Sequence, residues 1–317
     1  MSFLRMLFLL LRLVLGPSKR RKIYLFIEKF SRKFYGDKAG GATRFPMNLY
    51  FKEGMNSVNE VMAIQLVKQQ LLSHATKTML PLVPEVLDVA DGCFIMTRLP
   101  GEPLGNMYSK LSDEERAQVT PQVTEFIKVL RSIPNSLESE RSRPLGKVSG
   151  PLPHLPASDN NRIWEEQFGP FPTLPEFHSF LLHLHRRPGS FPERYSLAHD
   201  FAVSTDPRNL QETEFSTRTV FSHCDLHLRN ILAERKITYE RGQPVSKIVV
   251  TGIIDWECAG WFPIYWDHAK AVWRHRAFKK YRDCWQQIAK DTIPPESLEK
   301  YDSDLALEEE MWTYMDF

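Results

Sequence analysis

Two stretches constrain this 317-residue chain more than any other part of it. Phe221–Leu232 reads FSHCDLHLRNIL, and Val250–Gly260 reads VTGIIDWECAG. Each joins a short apolar run to polar residues at fixed offsets. Continuous apolar runs of this length, bounded by turn residues, fit buried strands. Thr217–Ser222, Asn230–Ala233 and Lys247–Asp255 read as strands, with Gly242-Gln243-Pro244 in the turn between the last two. Asp225 then lies in the bend before a hairpin. Asp255 ends the hairpin's second arm, 25 residues after Asn230. A charge at the end of a buried strand is costly unless it binds something.

The first stretch has the spacing H-x-D-x-x-x-x-N, and the second adds one Asp. Phosphoryl transfer needs parts of this kind. A carboxylate accepts the proton of the attacking hydroxyl, hard oxygen ligands hold Mg²⁺ on the phosphates, and a Lys neutralises the phosphates that stay behind. Asp225 suits the base, while Asn230 and Asp255 suit the metal. Upstream, Asn48–Lys52 reads as a strand and Ser57–Leu72 as a helix with a 3.6-residue apolar period. Lys52 and Glu60 are eight apart across that step, placed to pair and to aim the ammonium at phosphates. Val83–Val89 and Gly92–Leu99 read as two further strands. Ser112–Ile133 reads as one helix opened by a Ser112/Glu115 capping box. Asn135–Asn161, rich in Pro, Ser, Gly and charge, reads as a long surface loop. Leu174–Leu184 and Pro263–Ala289 read as helical, the second rich in aromatic residues.

Together, SHCDLHLRNIL and GIIDWECAGWFPIYW resemble the aminoglycoside phosphotransferase/choline kinase branch of the protein-kinase-like fold, and within it proteins of fungal type. The resemblance runs from about Arg44 to Lys290. It implies an α+β, two-lobed protein-kinase-like fold. A basic, apolar, helical extension (1–40) precedes an N-lobe with a small antiparallel sheet (41–100) and a larger, mainly helical C-lobe (101–317). It implies ATP and Mg²⁺ as cofactors, Asp225 as catalytic base, Asn230 and Asp255 as metal ligands, and Lys52 with Glu60 at the phosphates. It further implies adenine against the backbone near Met96 and Thr97, His223 as the residue shaping the loop, and Asp267 as its brace. The chain also departs from the pattern. No G-x-G-x-x-G precedes Lys52, Gly36, Gly40 and Gly41 sit far upstream, and Arg44-Phe45-Pro46 stands where a hairpin is usual. Asp255 is followed by Trp-Glu rather than Phe-Gly, and no A-P-E segment follows, which points away from a protein kinase and toward a small-molecule hydroxyl acceptor.

Two other readings stay open from the residues: a non-catalytic scaffold of the same fold, and a hydrolase using His223, Asp225 and His227 as an H-x-D-x-H metal cluster. Glu257 is a further candidate beside the metal. The formal charge of +2 argues against nucleic acid as a partner. The four cysteines form no C-x-x-C pair, which fits a reducing, cytoplasmic setting. Charge is concentrated at the ends. Residues 1–35 hold nine Lys/Arg against Glu28 alone, and 301–317 hold six acids and no base. Phe3–Leu15 is too short to span a bilayer. Arg5, Arg12 and Lys19, seven apart, share one helix edge, so residues 3–22 read as a helix packed on the body, as a peripheral membrane contact, or as a secretory or anchor signal.

Overall fold

The computed structural model describes residues 3–36, 41–54, 56–73, 77–134, 148–159, 163, 165–183, 219–273 and 279–313. Four strands, β1 (Ala42–Phe45), β2 (Leu49–Glu53), β3 (Val86–Ala90) and β4 (Cys93–Thr97), form an antiparallel sheet in the order β1-β2-β4-β3. Strand residues alternate between faces. Leu49, Phe51, Leu87, Cys93 and Ile95 enter one apolar cluster with Phe8 and Tyr24. Tyr50, Val86, Phe94 and Met96 enter another with Val61. The sheet is therefore sandwiched. Helices α1 (Phe3–Val14) and α2 (Pro17–Tyr35) cover the first face, and α3 (Ser57–Ser73) covers the second. Lys52, next to Phe51, points to the α3 side.

The basic edge of α1 is turned inward. Arg12 Nε donates to Asp88 Oδ1 at 2.7 Å, Arg20 pairs with the same carboxylate, and the Tyr24 hydroxyl donates to its Oδ2 at 2.5 Å. Arg5 pairs with Glu85. Arg5 and Arg12 thus dock the extension on β3 and its approach, which decides for the packed helix as far as these two side chains go. The hairpin that Arg44-Phe45-Pro46 was expected to displace is present. β1 and β2 pair directly, and the turn uses Met47 (φ 60°) and Asn48 (φ 56°) in place of glycine.

Beyond Thr97 the chain crosses to the C-lobe through β5 (Glu102–Pro103), which pairs with β9 (Ile231–Glu240). A side chain at Gly101 (φ 91°) would collide with Thr251 Oγ1 and the Ala233 carbonyl. Only glycine allows this approach. β9 and β10 (Gln243–Ile253) form a hairpin much longer than its apolar residues suggest. Its outer half is a solvated ribbon carrying the exposed Ile237 and Tyr239, so backbone pairing continues where the apolar signal stops. The expected helix over Ser112–Ile133 divides into α5 (Asp113–Ala117) and α6 (Val119–Arg131) after the short α4 (Leu104–Met107). Pro121 has no N–H for the Ala117 carbonyl, which ends the first segment there. The Ser112/Glu115 capping box forms as expected.

The second half of the expected surface loop is interior. β6 (Ala157–Asp159) pairs with β7 (Glu165–Phe168), and Val148 and Ser149 bridge to Phe171 and Trp261. Val148, Ser149, Ser158 and Asp159 are buried. Residues 135–147 lie outside the described residues, as does Gly40. Strand β8 (Thr219–Ser222) pairs with β11 (Gly260–Pro263). Among the described residues, helices α7 (Leu174–His183), α8 (Trp266–Trp273), α9 (Lys279–Thr292) and α10 (Leu298–Thr313) make up the rest of the lobe. Trp261, Phe262, Tyr265 and Trp266 are core residues.

The Asp88 hub yields a prediction. Asp88→Ala leaves the buried Arg20 without its partner and should remove about 3–5 kcal/mol of unfolding free energy. A urea titration with an unchanged midpoint would contradict this role.

Candidate active site

The site begins with a strained bend. Cys224 has φ 64°, in the left-handed region that residues with a Cβ rarely occupy. Asp267, in the first turn of α8, holds the bend. Its Oδ1 accepts from the Cys224 N–H at 2.7 Å, and its Oδ2 accepts from the His223 N–H at 3.3 Å. Burial pushes the Asp267 carboxyl up, while His223 and these amides oppose that.

Both nitrogens of His223 are engaged. Nδ1 accepts from the Asp225 N–H at 3.2 Å, and Nε2 lies 3.1 Å from the Ile254 carbonyl. An imidazole that accepts at Nδ1 and donates at Nε2 is neutral. Burial depresses its basicity in the same sense. The ring lies on Trp256, with centroids 4.5 Å apart. His223 therefore ties the bend bearing Asp225 to the residue before Asp255. A second tie runs from the Ile254 N–H to the Asn230 carbonyl at 3.0 Å. With its two nitrogens occupied, His223 cannot serve as a metal ligand in this arrangement, which removes the H-x-D-x-H hydrolase reading.

Asp225 is gripped from three sides. Its Oδ2 accepts from Asn230 Nδ2 at 2.8 Å and from Arg229 at 2.7 Å, and its Oδ1 lies 2.9 Å from His227 Nε2. Burial alone would raise this carboxyl. The hydrogen bond and charge of His227, the Arg229 guanidinium and Lys270 outweigh it and hold the group well below the usual carboxylate range. Asn230 also gives its amide N–H to the Asp225 carbonyl. That orientation leaves its amide oxygen as the atom suited to a cation.

Across the cleft, Lys52 Nζ lies 2.7 Å from Glu60 Oε2, 2.5 Å from Asp255 Oδ1 and 3.2 Å from Glu257 Oε2. Burial would lower this ammonium, but the three carboxylates hold it far above its ordinary value. Burial pushes Glu60 up, to about 7, against the pull of Lys52. Asp255 also sits at positive φ, 70°, two residues past the end of β10. Carboxylate oxygens of Glu60, Asp255 and Glu257 lie within 4.8 Å of one another. A hard, oxygen-only set of this kind suits Mg²⁺ and carries no soft ligand that would select zinc or copper.

Met96 and Thr97 are deeper in the sheet than a base-binding edge requires. Met96 pairs with Tyr50 and Val86 on its two sides, and its side chain is buried. The Thr97 N–H donates to the Glu85 carbonyl at 2.9 Å. Gly41, read from the sequence as too far upstream, lies beside the site. At φ 75° it places its Cα next to Lys52, where an added Cβ would sit 3.7 Å from Cε. The register explains this, since Ala42 pairs with Lys52.

A scan against protein families matches residues 60–295 to the phosphotransferase enzyme family, APH. The chain belongs to this family. The matched span holds Glu60 and every C-lobe residue of the site, with Lys52 eight residues ahead of it. Among solved structures, the chain is similar to the GDP and kanamycin complex of APH(2")-IIia (TM-score 0.54, 14% identity, 91% of this chain and 88% of that one). It is also similar to the streptomycin–ATP–APH(2")-IIa ternary complex (TM-score 0.53, 14% identity, 90% and 87%). A choline/ethanolamine kinase family protein from Mesorhizobium loti matches with TM-score 0.49 and 14% identity over 87% and 74%. The two likenesses to the APH(2") structures support the fold: α+β, with a sheet-containing N-terminal region and a helix-rich C-terminal region, as in a two-lobed kinase-like protein. A search of curated proteins finds no match.

Within this phosphotransferase-family chain, sequence reasoning missed the partners of Asp225. His227 had been weighed only as a metal ligand, and Arg229 had drawn no notice. The i,i+4 step from Asp225 to Arg229 was the available signal. The buried pair Lys270–Asp159 was missed as well. Both carboxylate oxygens lie 2.6 Å from Nζ, with the two side chains fully buried. It fastens α8, and with it Asp267, to β6. Lys270→Met takes the ammonium away from the buried Asp159 carboxylate and should cost about 3–5 kcal/mol. The double variant Lys270→Met/Asp159→Leu should recover part of that loss in thermal melts. A double variant less stable than the single one would show that the pair does more than neutralise itself.

Proposed function

We propose that this chain transfers the γ-phosphoryl group of ATP to a hydroxyl of a small molecule, with Mg²⁺ held by Asp255 and Asn230. One observation carries the reading. An ionised, buried Asp225 is fixed by His223 and Asn230 to the loop that bears Asp255, and Asp255 meets the Lys52–Glu60 pair. General-base phosphotransfer calls for these groups in one place.

In this reading Asp225 receives the proton of the acceptor hydroxyl, and Asn230 and His227 orient its carboxylate. Lys52, steered by Glu60, neutralises the phosphates that remain with the nucleotide. Asp255, the Asn230 amide oxygen and Glu257 are the oxygen donors for Mg²⁺, which when bound would offset phosphate charge. Gly41 lets the backbone ahead of β1 approach the Lys52 stem, a role that the missing G-x-G-x-x-G left open. Thr97 keeps its N–H inside the sheet, so the base is placed against the end of β4 and the residues after it. His223 and Asp267 act through the bend rather than on substrate. Arg229, half exposed at the solvent side of Asp225, puts a guanidinium beside the acceptor's path. That favours a neutral or anionic alcohol over a polycation.

The test is ATP consumption by the purified chain across a panel of hydroxyl metabolites, beside Mg·ATP titration calorimetry. Asp225→Asn should lower turnover by about 10²–10⁴ while Mg·ATP still binds. Wild-type turnover in this variant would remove Asp225 from the chemistry. No heat with millimolar Mg·ATP would favour a scaffold without nucleotide.

A pH profile adds a second check. Asp225 has a depressed folded-state value, so its ionised form stabilises the fold above about pH 4, where the unfolded carboxyl titrates. That contribution is lost as pH falls through the folded value. Turnover should therefore show no acid-side loss from this group down to about pH 4. A limb at higher pH that vanishes in Asp225→Asn would contradict the grip described.

A further inference from the structure

We propose that the outer faces of α1 and α2 form a surface that rests on an anionic lipid bilayer. A helix packed on a globular lobe normally turns its apolar stripe inward. α1 turns only a narrow apolar stripe inward: Leu4, Phe8 and Leu11 pack on the lobe. Met6, Leu9, Leu10, Leu13 and Val14 are exposed, Leu13 by 74%. α2 buries Arg20, Tyr24, Glu28 and Ser31. It exposes Ile23, Phe26, Phe30 and Phe34, the last by 80%. Those four are spaced three and four apart and form one stripe. Phe26 and Phe30 touch edge to face, with centroids 5.0 Å apart.

Phe8 of α1 and Tyr24 of α2 join the same cluster on one face of the sheet. The outward stripes of both helices therefore turn away from that common core, and exposed apolar side chains grouped in this way mark an interaction site.

Charge selects the occupant. Lys19, Lys22, Lys29 and Lys33 are all exposed and lie three, seven and four apart, which keeps them on one side of the helix beside the phenylalanine stripe. Glu28, the one acid in residues 1–35, is buried, and its carboxylate accepts from the Thr43 hydroxyl. An apolar stripe edged by lysines, with no exposed acid on either helix, matches the boundary between acyl chains and anionic headgroups. A two-fold contact between copies would bring these lysines together. At 12 residues, α1 is about 18 Å long, short of a bilayer's hydrocarbon thickness. Among the described residues no helix is long and apolar enough to cross. The contact is therefore peripheral. Because Lys52 and α3 occupy the opposite face of the sheet, this docking leaves the cleft turned away from the lipid. The proposal stands apart from the phosphotransfer reading.

The experiment is co-sedimentation of the full chain with vesicles of phosphatidylcholine alone and of phosphatidylcholine mixed with phosphatidylserine, with light scattering of the free protein. Binding is expected on the mixed vesicles, weakening as salt rises. The double variant Phe26→Ser/Phe30→Ser should bind at least about tenfold more weakly. Lys19→Glu/Lys22→Glu/Lys29→Glu should lose the preference for the anionic mixture. All these side chains are exposed, so thermal melts should stay close to wild type. Protein that stays in the supernatant with both vesicle types overturns the proposal. So does equal binding to both, or a dimer that the serine variants dissolve, which would give the face to a second copy.

Discussion

The bend at Asp225 and the end of the hairpin's second arm lie thirty residues apart in sequence, and a buried imidazole joins them. His223 receives the Asp225 amide on one nitrogen and meets the Ile254 carbonyl with the other. The first contact does not survive protonation, because an imidazolium has no acceptor. The surroundings supply what neutrality requires: full burial, the Trp256 ring, and the Asp267 carboxylate aimed at backbone amides rather than at the imidazole nitrogens. Remove the imidazole, and the joining of Asp225 to Asp255 falls to the Ile254–Asn230 backbone bond and the hairpin pairing behind it.

Electrostatics on the two sides of the cleft are arranged differently. On the C-lobe side, one carboxylate is surrounded by donors from His227, Arg229 and Asn230, and stays ionised in spite of burial. On the N-lobe side, one ammonium is surrounded by three carboxylates. The first arrangement makes a base whose position is fixed. The second collects more negative than positive charge around a small volume, which a divalent cation and phosphate would rebalance. Asp255 belongs to both. Its backbone follows the His223 tie, and its side chain reaches Lys52.

Much of this was legible in the residues, and what was not has physical causes. Asp225, Asn230 and Asp255 could be placed because strand ends fix where short polar segments emerge. Glu60 could be placed because a helix after a strand has few ways to pack. The partners of Asp225 are hard to read because an Arg four residues on or a His two residues on has many uses in a loop, and only the folded bend turns both toward the carboxylate. Residues 148–159 were misjudged for a related reason. Proline and serine signal solvent until a buried lysine such as Lys270 gives the acid among them, Asp159, a partner. The long β9–β10 ribbon was missed because its outer half buries nothing. The turn at Met47–Asn48 was missed because two non-glycine residues adopt a conformation usually left to glycine. The arginine edge of α1 was seen, but its direction depended on Asp88, an acid inside a strand that otherwise reads as plain core.

The approach at Gly101 has a mechanical side. Glu102 and Pro103 are stitched to the base of the β9–β10 hairpin, and the Thr251 hydroxyl catches the Pro100 carbonyl at 2.7 Å. The connecting segment is clamped at its C-terminal end to the ribbon that delivers Asn230 and Asp255. Rotation of one lobe against the other then has its fulcrum upstream of that clamp, within Arg98–Leu99. Such a swing would carry Lys52 and Glu60 as a rigid jaw, while the opposing jaw keeps its own spacing throughout.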